Sequence, residues 1–313
     1  MTLLATSPDL FPAATSARDE YSHVDFDALN NQTLLEITQQ NGVDFATTLL
    51  FNRLQNSSKQ GDFIRSIDAI DPSHQAPHLP GKLLIAPAAF YRKHPKFGGD
   101  GTLIRQIATQ FKLPTGLLPV SSTGSVSKNA TTIAEALELE LDNSITLASL
   151  SKGGADVRIA LERWPHLAKK IRVWLNICGL VRGTPISNSL LGTRWWQRGL
   201  LKGYLAYTRA HQDFVSELAS TPNSLLGGSV NLPTNLRIIN VVAFPLRQHL
   251  AGHSRTRHNR LAKFGPNDGS TLLRDSIIEP GDIYPVWAAD HFMRTKEVPS
   301  LLHRLLAYTE KWT

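Results

Sequence analysis

The stretch ITLASLSKGGADVRIALERW, residues 145–164, passes from a short apolar run into a helical pattern through a tight cluster of small residues. Its first part suits a buried strand. In its second part Val157, Ala160, Leu161 and Trp164 form the inner stripe of an amphipathic helix. A strand running directly into a helix is half of a crossover unit, and the same alternation extends to either side. Upstream, KLLIA (82–86) is a strand candidate ended by Pro87, followed by a helix with Ile104, Ile107, Ala108 and Phe111 at helical spacing. Then come TGLLPV as a strand and SKNATTIAEALELEL as a helix, with Ser127 placed to cap it. Downstream, IRVWLNICGLV, LRIINVVAF and IYPVWAA are strand-like, and a last helix carries Leu301, Leu302, Leu305 and Leu306. Strands alternating with helices predict an α/β fold with a mainly parallel sheet flanked by helices.

Four further segments complete the organisation. Residues 1–24 read as a loose arm and 25–80 as an N-terminal helical cover, with one α/β domain over 81–313. The rhythm breaks after Arg182: residues 183 to about 230 hold Trp195, Trp196, several glycines and a helical stretch near Tyr204, the pattern of an inserted cap or lid. From Arg247 to Lys263 the chain carries five Lys or Arg, three His and no acid. That segment is expected as a solvated basic loop.

Composition bounds the function. The chain has 313 residues, 42% of them hydrophobic and 19% charged, which excludes general disorder. Cys178 is the only cysteine, so no intrachain disulfide and no multi-thiolate metal site is available. No apolar run reaches membrane-spanning length and the N-terminus lacks the layout of a secretion signal, so the expectation is a soluble, cytoplasmic protein. The net charge of +7 favours anionic partners in general. Nucleic-acid binding through 247–263 ranks last, because aromatics are not interleaved with the basic residues. His249, His253 and His258 lack a nearby cysteine or carboxylate to complete a metal site.

The chemistry lies in Ser149-Leu150-Ser151-Lys152-Gly153. Small, any, nucleophile, any, small is the pattern of a nucleophile elbow: the central residue sits on a sharp strand-to-helix turn, and small flanking residues let the two backbones approach. Ser151 then projects at a helix N-terminus, where backbone N–H groups favour developing negative charge.

On this elbow and on element order, residues 80–313 resemble the α/β-hydrolase superfamily in its lipase-like and esterase-like branch. The resemblance implies a nucleophile, an acid and a histidine in that chain order. His291, in WAADHFMR after the last strand, takes the histidine's place; His303 falls inside the terminal helix and His94 comes too early. No Asp or Glu occurs from Val173 to Gln212, which moves the acid to a later loop. Asp268, in FGPNDGSTLL, leads, with Asp275, Asp282 and Asp290 as alternatives. The oxyanion hole implied by the resemblance uses the N–H of Lys152 and a second donor from Ala88, Ala89 or Phe90, since Pro87 has no N–H. The His-Gly pair that many relatives carry there is missing.

The expected activity is hydrolysis of a carboxylic ester through an acyl-enzyme on Ser151, with Trp195 and Trp196 lining a pocket for a hydrophobic acyl group or a lipid-like substrate. No cofactor and no metal is implied, and no oligomeric state is read from the sequence. Thioester hydrolysis or acyl transfer on the same triad, and a non-catalytic ligand- or partner-binding protein of this fold, are the alternatives.

Overall fold

A computed structural model describes residues 21, 23–191, 199, 202, 203, 205–207 and 210–312. Six strands, β1 (Lys82–Ala86), β2 (Thr115–Leu117), β3 (Ile145–Leu150), β4 (Ile171–Ile177), β5 (Ile238–Phe244) and β6 (Asp282–Trp287), form one sheet in the order β2-β1-β3-β4-β5-β6. Every neighbouring pair is parallel. The central strands β3, β4 and β5 are buried almost throughout, which is why they read as continuous apolar runs.

Alternate residues feed two cores. Leu83, Ile85, Val173, Leu175, Ile239 and Val241 face one side, where helices α1 (Asn31–Asn41), α2 (Val43–Asn56), α3 (Ser58–Asp68), α4 (Thr102–Ala108) and α9 (Val298–Tyr308) supply the partners. Leu84, Ala86, Leu147 and Trp174 face the other, against α5 (Val126–Leu139) and α6 (Lys152–Arg163). The edge at β6 is closed by α3: Gln60 Nε2 donates to the Gly281 carbonyl at 3.1 Å, and Gln60 Oε1 accepts from the Ile283 N–H at 2.8 Å. A side-chain amide thus pairs backbone groups that an open edge would leave to another chain.

Two local expectations are corrected. Ser125, not Ser127, caps α5, its Oγ accepting from the Lys128 N–H at 3.3 Å; Ser127 already lies inside the helix. The basic segment is not a loop, since Gly252–Leu261 forms a helix, here α8 after the short α7 (Pro185–Leu190). Ser254, His258 and Leu261 recur on its buried face, a helical spacing that its many charges obscure. Trp195, Trp196, Leu200, Leu201 and Tyr204, like residues 1–20, lie outside the described residues. Buried Arg158 ties the segment beyond them to α6 and to the loop after β4, donating to the carbonyls of Val181 at 2.6 Å, Leu226 at 2.9 Å and Ser229 at 3.0 Å.

Candidate active site

The site lies where β3 turns into α6. Ser151 occupies φ 52°, ψ −117°, a region that side-chain-bearing residues seldom enter and that costs about 1–3 kcal/mol. The turn is held by the Ser151 N–H donating to the Ile177 carbonyl at 3.1 Å and by the Ser151 carbonyl accepting from the N–H groups of Gly154 at 3.0 Å and Leu180 at 2.9 Å. Gly153 is required here: a Cβ on it would stand 2.2 Å from the Ala86 carbonyl oxygen. The end of β1 therefore passes directly against the first turn of α6.

Ser149, the other small residue of the elbow, is fully buried and takes part in a polar network. Its Oγ accepts from the Trp174 indole N–H at 2.8 Å and lies 3.4 Å from Asn176 Oδ1. Asn176 Nδ2 in turn donates to Asn240 Oδ1 at 3.0 Å and to the Ser276 carbonyl at 2.9 Å. Sequence reasoning missed this network. The signal was an asparagine in each of two otherwise apolar strands, IRVWLNI and IINVVAF, which the register places side by side.

His291 lies beyond the end of β6 and is buried with Asp268. Its Nε2 is 2.8 Å from Ser151 Oγ and its Nδ1 is 2.7 Å from Asp268 Oδ2. Asp268 Oδ1 accepts from the N–H groups of Ser270 at 2.8 Å and Thr271 at 2.9 Å, while the Asp268 carbonyl accepts from the His291 N–H at 3.1 Å. An ionised carboxylate only accepts hydrogen bonds, so this pairing puts the proton on Nδ1 and leaves Nε2 to accept from the serine hydroxyl. Asn267 shapes the turn, its Oδ1 accepting from the Gly269 N–H at 3.0 Å.

The other acids are engaged elsewhere. Asp275 Oδ1 accepts from Asn31 Nδ2 at 2.7 Å, and burial raises its pKa. Asp282 opens β6. Asp290 pairs with Arg294 and accepts from Ser254 Oγ at 2.9 Å. His303 is buried inside α9 with its ring 4.8 Å from that of Phe111, and the His94 ring is 5.7 Å from that of Phe97.

Of the amides expected after β1, Ala88 donates to the Gly99 carbonyl at 2.8 Å and Phe90 to the Ser122 carbonyl at 2.8 Å. Both are thereby taken, and among the described residues the Ala89 N–H has no acceptor. Lys152 turns its side chain away from the site into a buried pair with Asp156, Nζ to Oδ1 2.5 Å, which Asn129 Nδ2 also contacts at 2.8 Å. Desolvation raises the pKa of Asp156, opposed by the Lys152 charge.

Cys178 Sγ, Asp268 and His291 bring three ligating atoms within 4.8 Å of one another. Burial, and next the Asp268 charge, push the Cys178 thiol well above its ordinary pKa. His249, His253 and His258 do not converge on a common point in any three-ligand group found among the described residues. His249 Nδ1 instead accepts from the Leu246 N–H at 3.0 Å, and His258 lies on the buried face of α8.

No protein-family model matches the chain, and no curated protein matches it. Solved structures do. A metagenomic carboxyl esterase superposes with a TM-score of 0.61 at 20% identity, over 78% of this chain and 80% of its own. The propeptide form of a Bacillus licheniformis lipase superposes with a TM-score of 0.51 at 15% identity, over 74% of this chain and 52% of its own. Together with the parallel six-stranded sheet, these likenesses show that the chain has the α/β-hydrolase fold. Among the described residues no helix is long and apolar enough to cross a membrane.

Proposed function

We propose that the protein is a serine hydrolase that cleaves a carboxylic ester through an acyl-enzyme on Ser151. The observation that carries this reading is the single line of contacts from Ser151 Oγ to His291 Nε2 at 2.8 Å and from His291 Nδ1 to Asp268 Oδ2 at 2.7 Å. As Oγ bonds to the ester carbonyl carbon, its proton passes to Nε2, and Asp268 stabilises the resulting imidazolium. The carbonyl oxygen, now an oxyanion, receives the N–H groups of Lys152 and Ala89. Collapse breaks the bond to the alcohol oxygen, which takes the proton from Nε2. A water then repeats the sequence, giving up its proton to His291 as it attacks the acyl carbon and releasing the acid and free Ser151.

The esterase and lipase named among the similar structures support an ester as substrate, at the level of fold. A hydrophobic acyl group bound beside Trp195 and Trp196 is the substrate class this reading favours. Treatment of folded protein with a fluorophosphonate, followed by peptide mapping, tests it. The expected adduct is on Ser151, absent in Ser151→Ala; folded protein that never labels would overturn the reading.

A further inference from the structure

Helix α8 brings one arginine to the edge of the site under conditions its neighbours do not share. Arg255 and Arg260 on the same helix are exposed, whereas Arg257 is half-buried. Its guanidinium carbon lies 5.2 Å from the centre of the Phe292 ring, whose own centre is 5.7 Å from that of His291. Phe292 also meets the half-exposed ring of Phe97, from the loop after β1, at 5.1 Å. Arg257 therefore stands one aromatic ring away from the histidine, at the place where the loops after β1 and β6 meet.

Arg294 approaches the same Phe292 ring at 5.0 Å, but its charge is answered by Asp290 and its guanidinium also donates to Ser254 Oγ at 2.9 Å. Arg257 has neither a hydrogen bond nor an ion pair among the described residues. Burial, opposed chiefly by the charge of Asp290, lowers its pKa, yet a guanidinium stays charged at any physiological pH. None of its guanidinium nitrogens is among the fully buried, unpartnered atoms, so the fork of N–H donors beside the Phe292 ring stays open to solvent and to a ligand. The acids nearest to it are already committed, Asp290 to Arg294 and Ser254, and Asp268 to His291 and two backbone amides.

We propose that Arg257 binds an oxyanion on the substrate, so that the ester this site takes carries a second, negatively charged group, a carboxylate or a phosphate, set apart from the bond that is cleaved. The inference rests on the ester-hydrolase reading and gives that site its substrate class. Carboxylate and phosphate share the geometry that a guanidinium fork meets with two parallel hydrogen bonds. The apolar Phe97 and Phe292 rings would cover the part of the substrate between the anion and the ester.

Matched ester pairs test it. On the acyl side, p-nitrophenyl pentanoate is compared with the mono-p-nitrophenyl ester of glutaric acid. On the alcohol side, acetylated methyl 3-hydroxybenzoate is compared with acetylated 3-hydroxybenzoate and with acetylated 3-hydroxyphenyl phosphate, which separates carboxylate from phosphate. In at least one arm the ratio of kcat/KM, anionic over neutral, should be about tenfold or more at low salt and should shrink with added NaCl. Arg257→Gln should bring that ratio to about one, and Arg257→Lys should leave it in between. A purely structural role would lower both members of a pair and keep the ratio. A ratio near one in every arm of the unmodified protein, or one that survives Arg257→Gln, overturns the proposal.

Should no ester of either kind turn over, the hydrolase reading fails separately, and equilibrium binding of the same pairs to Ser151→Ala decides on Arg257. Tighter binding of an anionic member by about tenfold, lost in Ser151→Ala/Arg257→Gln, supports the anion site; equal binding overturns it.

Discussion

Ser149 Oγ accepts the indole N–H of Trp174 at 2.8 Å, beneath the turn that presents Ser151. A glycine at this elbow position would satisfy the steric demand of the turn, but it would strand a buried donor on the neighbouring strand. Ser149→Ala should therefore cost about 1–3 kcal/mol, the penalty for an unpaired buried polar group, measurable by urea denaturation. A neutral result would mean that Trp174 finds another acceptor.

On the proposed mechanism Ser151→Ala and His291→Ala should each lower ester turnover by roughly four to six orders of magnitude, and the double variant should be little worse, as for residues that act as a unit. Asp268→Asn should cost about 10⁴-fold in kcat, since an amide no longer holds the Nδ1–H tautomer or stabilises the imidazolium. Asp275→Asn, Asp282→Asn and Asp290→Asn should cost far less. Should Asp282→Asn be the crippling change, the acid is assigned to the wrong residue.

The Lys152–Asp156 pair is buried on both sides. Asp156→Ala leaves the Lys152 ammonium uncompensated in the interior and should cost about 3–5 kcal/mol. Lys152→Met combined with Asp156→Leu should recover much of that loss, because removing both charges removes the desolvation cost as well. Chemical denaturation of the single and double variants checks both statements.

Acid should weaken the fold through buried histidines. Burial lowers the His258 pKa below its ordinary value of about 6.5, against the opposing charge of Asp44. Below pH 6.5 the unfolded chain thus takes up a proton that the folded chain refuses. Stability is full above that pH and falls beneath it by up to about 1.4 kcal/mol per pH unit from this group. His249 and His303 are shifted the same way, also by burial first. His258→Leu should flatten the dependence of unfolding free energy on pH between 6.5 and 5 by up to one proton; an unchanged slope would assign the effect to other groups.

The insertion offers a test of substrate preference. With Trp195 and Trp196 both replaced by alanine, loss of apolar contact worth roughly 1.5–3 kcal/mol per buried ring should reduce kcat/KM more for a long acyl ester than for a short one. An unchanged ratio with a lower melting temperature would make the rings packing residues only.

What was legible in the sequence was what depends on local order. Short continuous apolar runs mark KLLIA and ITLASL as strands and a 3.6-residue period marks ADVRIALERW as a helix, because burial in a sheet or along a helix stripe writes itself into adjacent residues. The elbow pattern was legible because its five residues are contiguous, although the clash that Gly153 avoids is with Ala86 of β1, distant in the chain. For the charged helix α8 the local pattern misled, because only Ser254, His258 and Leu261 face inward and two of those are polar. Partners distant in the chain were decided by tertiary structure alone. Asn176 and Asn240 meet only because β4 and β5 pair in that register, the Ala88 and Phe90 amides are taken only because Gly99 and Ser122 come beside them, and Arg257 reaches Phe292 only through the packing of α8 beside the loop after β6. Hydrogen bonds and charge act over a few ångströms whatever the distance along the chain, so their pairing becomes readable once the fold has brought the groups together.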